Sequence, residues 1–295
     1  MRICRYIFAF FLLLGCDTDT TTPEKETEEL PLLETITSAS VIFSHSNEQL
    51  TPFFAAPTLA YVSGYFYFED SLTPDIIFGL DIEHFEGVDN PLRFEGADWM
   101  ALAGFTREGI LWFPIGSPEN LEGVPTSTDQ WEIRDFEVEL QPLTWYKMTI
   151  TCDFDRLEFV SVSLQGGAID KTLSLSGFPL EYPNYAAFDQ PALTGYTFAI
   201  RGLEFSPENL PGFDVYFDDI EMGIYTGSEF ITIMENGFEN QQTVGEIPIN
   251  AIPIPLADIS ENQWYMENEQ AKLEISDTIK RSGAASLKCS ANLEQ

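Results

Sequence analysis

Positive charge is scarce in this chain: 14 Lys and Arg stand against 48 Asp and Glu, for a formal net charge of −34 over 295 residues. A surface of that sign repels phosphate backbones and anionic membranes, which excludes nucleic-acid binding. Histidine is almost missing, with 2 residues. Neither His45 nor His84 lies beside a nucleophile motif, so a triad built on an imidazole base has no support, and both read as surface residues. Cysteine is sparse, at 4, and helical spacing of apolar residues is nearly absent. What the chain does have is a content of 44% hydrophobic and 14% aromatic residues, ample for a packed core and incompatible with a disordered protein.

The first sixteen residues read as an address. Arg2 and Arg5 form a positive start, and the apolar stretch 6–15 is about half the roughly 20 residues of a spanning helix. Leu13-Leu14-Gly15-Cys16 then resembles the lipobox of bacterial lipoproteins. In that family the cysteine is acylated and becomes the first residue after cleavage. The resemblance implies a signal peptide over 1–16, lipidation at Cys16, attachment to a membrane through the lipid, and a place in the bacterial cell envelope, periplasmic or on the cell surface. Residues 17–34 are a run of Asp, Thr, Pro and Glu with little to bury, and they read as a disordered acidic linker.

Beyond residue 35 the apolar residues recur with period two, in short runs separated by Gly, Pro, Asn and Asp clusters. Strands are expected over 62–68, 76–82, 131–140, 145–152, 157–164, 196–203 and 215–224. With many strands and no helical connectors, the fold class expected for 35–295 is all-β, a two-sheet antiparallel jelly-roll sandwich.

Two stretches are similar to the concanavalin-like and galactose-binding-like jelly rolls of lectins and carbohydrate-binding modules. Trp145-Tyr146-Lys147-Met148-Thr149-Ile150 and Val215-Tyr216-Phe217-Asp218-Asp219-Ile220 look like the later strands of such a module. Asn236-Gly237-Phe238-Glu239, with Gly245, Trp264 and the run from Ser282 to Lys288, looks like its opening. The order is reversed, with the beginning after the end. Residues 235–295 therefore either complete the same sandwich in a circularly permuted arrangement or begin a truncated second module. Some sixty residues are too few for a jelly-roll core of their own, which favours permutation.

Cys4 leaves with the signal peptide and Cys16 takes lipid, so Cys152 and Cys289 remain as a pair in an oxidising compartment. By parity both face a core. A Cys152–Cys289 disulfide is expected to pin the tail to the main sandwich; the alternative is two separate buried thiols.

Asp218 alternates with Tyr216, Ile220 and Met222, which puts a carboxylate on an apolar face where something must neutralise it. The resemblance to galactose-binding-like modules implies a structural calcium held by Asp218 and Glu239. The alternative is a bulge at Asp218-Asp219 that turns both side chains to solvent. Asp135, Glu137 and Glu139 occupy alternate positions of the expected strand 131–140, the raw geometry of a glycosidase, but the strand-borne Glu-x-Asp-x-Glu pattern of concanavalin-like glycosidases is not reproduced there. A solvated strand face is the default reading. Trp145 and Trp264 read as structural, while Trp99, Trp112 and Trp131 are candidate platforms for sugar rings.

Function is expected to be that of a membrane-tethered, noncatalytic module binding a glycan. The alternatives are an envelope structural or adhesion protein that recognises another protein, and a glycoside-active enzyme of concanavalin-like fold.

Overall fold

The structure is a computed structural model that describes residues 37–44, 59–88, 97–116, 130–181, 191–201, 212–225, 227, 229–239, 245–246, 265–266 and 271–291. Cys16, the linker expected at 17–34, His45 and Trp264 lie outside these residues. The chain divides into two compact units, Met1–Leu30 and Pro31–Gln295, and all the described residues belong to the second.

Sixteen strands and no helix are found among the described residues. In chain order they are β1 (Thr37–Ser44), β2 (Leu59–Phe68), β3 (Ile76–Phe85), β4 (Asp98–Phe105), β5 (Ile110–Ile115), β6 (Gln130–Asp135), β7 (Tyr146–Asp153) and β8 (Glu158–Gly166). They continue with β9 (Ile169–Ser174), β10 (Ala192–Arg201), β11 (Phe213–Tyr225), β12 (Phe230–Asn236), β13 (Gly245–Glu246), β14 (Tyr265–Met266), β15 (Ala271–Ser276) and β16 (Ser286–Ala291). Sheet A has the order β13-β14-β1-β10-β3-β4-β5-β6, and sheet B the order β15-β16-β11-β2-β7-β8-β9, with β12 also paired to β11. Every pairing is antiparallel except the short β13–β14 one. The fold is the all-β, two-sheet jelly-roll sandwich.

Period-two sequences build the core between the sheets. On β2, Ala60, Val62, Phe66 and Phe68 point inward; on β3, Ile76, Phe78, Leu80 and Ile82 do so; on β7, Tyr146, Met148, Ile150 and Cys152. Aromatic pairs join the two layers: Phe66 meets Phe78 with ring centroids 5.0 Å apart, and Phe113 on β5 meets Phe159 on β8 at 5.4 Å. Buried aromatic side chains of this kind dominate core energetics, and each such pair adds about 0.5–1.5 kcal/mol beyond its area.

The C-terminal tail lies in the same sandwich. β16 pairs with β11, β15 pairs with β16, and Leu273, Ala285, Leu287 and Cys289 belong to the same apolar cluster as β2, β3 and β7. A tail shared in this way has no separate core.

Three sequence expectations are corrected. The strand expected over 131–140 ends at Asp135. There the backbone amide of Glu137 donates to Asp135 Oδ1 at 2.7 Å, and Glu137 itself adopts a positive φ of 52°. The alternation of burial persists past the strand because Phe136 and Leu140 still reach the core. His84, expected at the surface, is buried at 0% exposure on β3, with its ring 5.4 Å from that of Phe154. The expected disulfide is not formed. Cys152 and Cys289 are both buried thiols, and β11 and β2 stand between their strands, a separation of about 14 Å from strand spacing alone. Cys152 also lies beside Ala60, which is opposite Ile224, whereas Cys289 faces Val215 at the other end of β11. A disulfide tolerates at most about 7 Å between Cα atoms. Parity fixed the face of each cysteine correctly but carried no information about strand order or height.

Candidate functional site

The outer face of sheet A, the side turned away from sheet B, carries the odd-numbered residues of β3. Strand pairing sets its rows. Thr194, Glu83 and Met100 stand side by side on β10, β3 and β4. One step along come Tyr196, Asp81 and Leu102, and then Phe198, Gly79 and Gly104, with Trp112 of β5 beside Gly104. Trp131 of β6 lies next to this last row, its ring centroid 6.4 Å from that of Trp112.

The face is withdrawn from solvent: Asp81 is 2% exposed and Glu83 6%. At one end Ile77, Phe198 and Ile200 form a second apolar cluster, against which Leu102, Trp112 and Trp131 pack. Two glycines make room for it. A Cβ on Gly104 would stand 2.7 Å from Phe198 Cζ, and one on Gly79 would stand 2.1 Å from the Ala103 carbonyl oxygen, so the floor of the face has to be bare backbone. Apolar rings thus give way, within two strand steps, to a pair of carboxylates.

Two polar groups on this face have no hydrogen-bond partner among the described residues: the Thr194 hydroxyl and the Trp112 indole N–H. Thr194 is fully buried and sits beside Glu83. A buried donor or acceptor left unmatched costs about 1–3 kcal/mol, so each instance asks for an explanation. The chemistry gathered here is two carboxylates that accept, a hydroxyl that does either, an indole N–H that donates, and aromatic rings at one end.

Sequence reasoning did not single out Asp81, Glu83 or Thr194. The available signal was the alternation Asp81-Ile82-Glu83 within an otherwise apolar strand; it was obscured by the many other acidic residues and by ending the strand at 82. Thr194 belongs to no motif, and only the β3–β10 register reveals its place. Of the tryptophans proposed as platforms, Trp112 and Trp131 do lie on this face. Trp99, opposite His84 on β4, is buried in the core between the sheets. Trp145, expected to be structural, is on the outer face of sheet B against Tyr67.

Asp218 and Glu239 both reach the segment 281–284, where their oxygens are turned to N–H donors. Asp218 is fully buried at an irregularity in the β11–β2 register, and the next residue, Asp219, has a φ of 47°. Its Oδ2 accepts from the backbone amides of Arg281 at 2.8 Å and Ser282 at 3.2 Å, and its Oδ1 from the amide of Asp219 at 2.8 Å. Asp219 pairs with the Arg281 guanidinium, and Glu239 accepts from the amide of Ala284. Burial pushes the Asp218 carboxyl above its ordinary range, against the opposing pull of the Arg281 and Ser282 amides. Amides and a guanidinium, not oxygen ligands, neutralise these carboxylates, so the residues as arranged do not fit a calcium ion. Among the described residues no group of three or more His, Cys, Asp or Glu is placed to hold a metal.

Asp135, Glu137 and Glu139 do not form a working face. All three are exposed, and Glu137 is paired with Lys171 at 2.7 Å. Cys152 is chemically quiet: burial, reinforced by Asp81 and Asp153, holds its thiol well above the ordinary range, which keeps it protonated and unreactive.

No protein-family model matches the chain, and no curated protein matches it. Among solved structures it is similar to a family 7 alginate lyase A1-II′ in complex with substrate, at 10% identity over 58% of this chain and 62% of that one, with a TM-score of 0.25. It is also similar to the binding domain of botulinum neurotoxin serotype D/C, at 10% identity over 57% of this chain and 38% of that one, TM-score 0.25. The binding domain of botulinum neurotoxin DC in complex with rat synaptotagmin II aligns at 12% identity over 58% of this chain and 42% of that one, TM-score 0.22. In each case the aligned part spans less than two thirds of the other chain.

Proposed function

We propose that the domain is a noncatalytic binding module, tethered to a bacterial membrane through a lipid on Cys16, that takes a glycan on the outer face of sheet A. The observation that carries this reading is the pair of buried, unmatched groups, Thr194 hydroxyl and Trp112 indole N–H, on the face that bears Asp81 and Glu83. A sugar supplies what each of these lacks or favours. Its hydroxyls donate to carboxylates and accept from the indole N–H and the threonine, and the apolar face of its ring lies against Trp112 and Trp131. The lipobox resemblance of Leu13-Leu14-Gly15-Cys16 supports the tether and the envelope location.

A second reading, a glycoside-active enzyme, moves from Asp135, Glu137 and Glu139 to Asp81 and Glu83. Alternate residues on a strand have Cα atoms about 6.5–7 Å apart, near the ~5–5.5 Å between carboxyl groups in retaining glycosidases. The mature domain screened on a glycan array, with the best oligosaccharide then titrated calorimetrically and assayed for cleavage, separates the readings. The binding module is expected to hold the oligosaccharide intact, and Trp112→Phe, which removes the N–H together with part of the stacking surface, to weaken it several-fold. Cleavage abolished by Glu83→Gln gives the enzyme reading instead. A protein-recognising adhesin gives no glycan hit at all.

A further inference from the structure

The turn that follows β12 holds a reactive peptide pair that the sheet A site does not use. Asn236 is the last residue of β12, paired with Ile220 at the end of the β11–β12 ladder, and with Gly237 it forms the one Asn-Gly pair in the chain. Just beyond, the backbone amide of Phe238 donates to the Asn236 side-chain carbonyl oxygen at 2.7 Å. That bond closes a ring around the Gly237 peptide group, so the side-chain carbonyl carbon is brought against the Gly237 nitrogen. The ring is held from both ends, by the ladder on one side and on the other by Phe238, which is 1% exposed in the core and fixed at a φ of 60°. Asn236 is half-buried, so water reaches it.

A carboxamide is a weak electrophile and a peptide nitrogen a weak nucleophile, so their reaction depends on what the surroundings add. The Phe238 N–H points at the oxygen on which negative charge develops when the carbonyl is attacked, the arrangement of an oxyanion hole. Holding the two reacting atoms together makes the attack intramolecular and removes its entropic cost. Glycine leaves the nitrogen unshielded and the backbone free to turn as a ring closes. A Cβ at Gly237 would stand 3.2 Å from Asp219 Oδ1, so an anionic side chain lies beside the same peptide.

We propose that Asn236-Gly237 is a self-modification site that converts Asn236 to aspartate or isoaspartate through a succinimide, with water as the co-reactant. The Gly237 nitrogen bonds to Asn236 Cγ, and the bond from Cγ to the side-chain nitrogen breaks. The proton of the Gly237 N–H passes through solvent to that leaving nitrogen, which departs as ammonia. Water then adds to one of the two ring carbonyls and opens the ring, with no change of oxidation state. Either product puts a carboxylate where a neutral amide stood, beside Asp219 and in a chain whose net charge is already −34, so like-charge repulsion rises locally. The isoaspartate also adds a backbone methylene between β12 and the Phe238 anchor. Neighbouring groups clasp the C-terminal tail: Glu239 accepts from the amide of Ala284, and Asp219 pairs with Arg281. The reaction therefore loosens the hold of this turn on the segment 281–284 as the protein ages.

The test incubates the purified protein in mildly alkaline buffer and maps position 236 by proteolysis and mass spectrometry, with isoaspartate-specific methyl transfer to separate the two products. The same chain unfolded in urea gives the rate that the Asn-Gly pair has without the fold. Aspartate and isoaspartate are expected to accumulate faster in the folded protein than in the unfolded chain, and more slowly in mildly acidic buffer, where the peptide nitrogen gives up its proton less readily. Gly237→Ala is expected to slow conversion severalfold by crowding the nitrogen. Asn236→Ser keeps an acceptor for the Phe238 amide but has no carboxamide, so it is expected to keep its melting temperature on ageing while that of the parent falls. An intact position 236 in the folded protein, conversion no faster than in the unfolded chain, or an unchanged melting temperature in fully converted protein overturns the inference.

Discussion

Thr194→Val tests the site on sheet A through two effects of opposite sign. Thr194 is fully buried, and its hydroxyl finds no partner among the described residues. Valine keeps the shape and replaces the hydroxyl with a methyl, so the desolvation penalty of an unmatched group, about 1–3 kcal/mol, is relieved. The ligand-free variant is therefore expected to gain about 1 kcal/mol, read as a rise in melting temperature of roughly 2–4 °C for a domain of this size. In the bound state the same change removes one hydrogen bond to the sugar, about 0.5–1.5 kcal/mol net, or up to about a tenfold rise in Kd. Thr197→Val is the control, because that buried hydroxyl lies 3.8 Å from Cys289 Sγ and valine gains nothing there. Scanning calorimetry and isothermal titration on the three proteins read both quantities. A Thr194→Val protein that is less stable, or that binds glycan as the parent does, refutes the reasoning.

Leu287→Ala asks whether the tail is integral: Leu287 is fully buried opposite Phe217, so the loss is expected to be about 3 kcal/mol, in a single transition. A change under about 0.5 kcal/mol, or a separate early transition, contradicts a shared core. Asp218→Ala strips the acceptor from the amides of Asp219, Arg281 and Ser282 and is expected to lower stability by about 2–3 kcal/mol in urea melts. Asp218 titrates above its ordinary 3.8 in the folded state, so the native protein binds that proton more tightly than the unfolded chain. Its contribution to stability therefore falls as pH rises through the interval between the two values, and Asp218→Asn is expected to flatten that segment of the pH profile. The melting temperature is expected to ignore calcium and chelator alike; a calcium-dependent rise shows that the loop rearranges to take the ion.

The parts of the fold legible in the sequence were those governed by alternation alone. Val62, Phe66 and Phe68 on β2, and Met148, Ile150 and Cys152 on β7, face the core as their parity implied, and the sandwich follows from many such strands without helices. Alternation failed where burial and backbone part company: Phe136 and Leu140 are inward although the strand has already ended at Asp135. It also failed wherever the answer depended on which strands are neighbours. Cys152 and Cys289 share a face and not a location, and His84 is buried because Leu193 and Trp99 flank it from β10 and β4. The candidate site has the same origin, since Thr194 meets Glu83 only through a pairing between strands far apart in sequence. Trp112 and Trp131 could be named from residue type; the carboxylates beside them could not, in a chain so rich in acid.

Hydrogen exchange with and without the best-binding oligosaccharide measures the location of the ligand directly. Slowed exchange confined to β3, β4 and β10, and lost in Thr194→Val at the same ligand concentration, is the expected result. Protection that falls instead on the loops away from sheet A, with β3 and β10 unchanged, contradicts the assignment of glycan binding to that face.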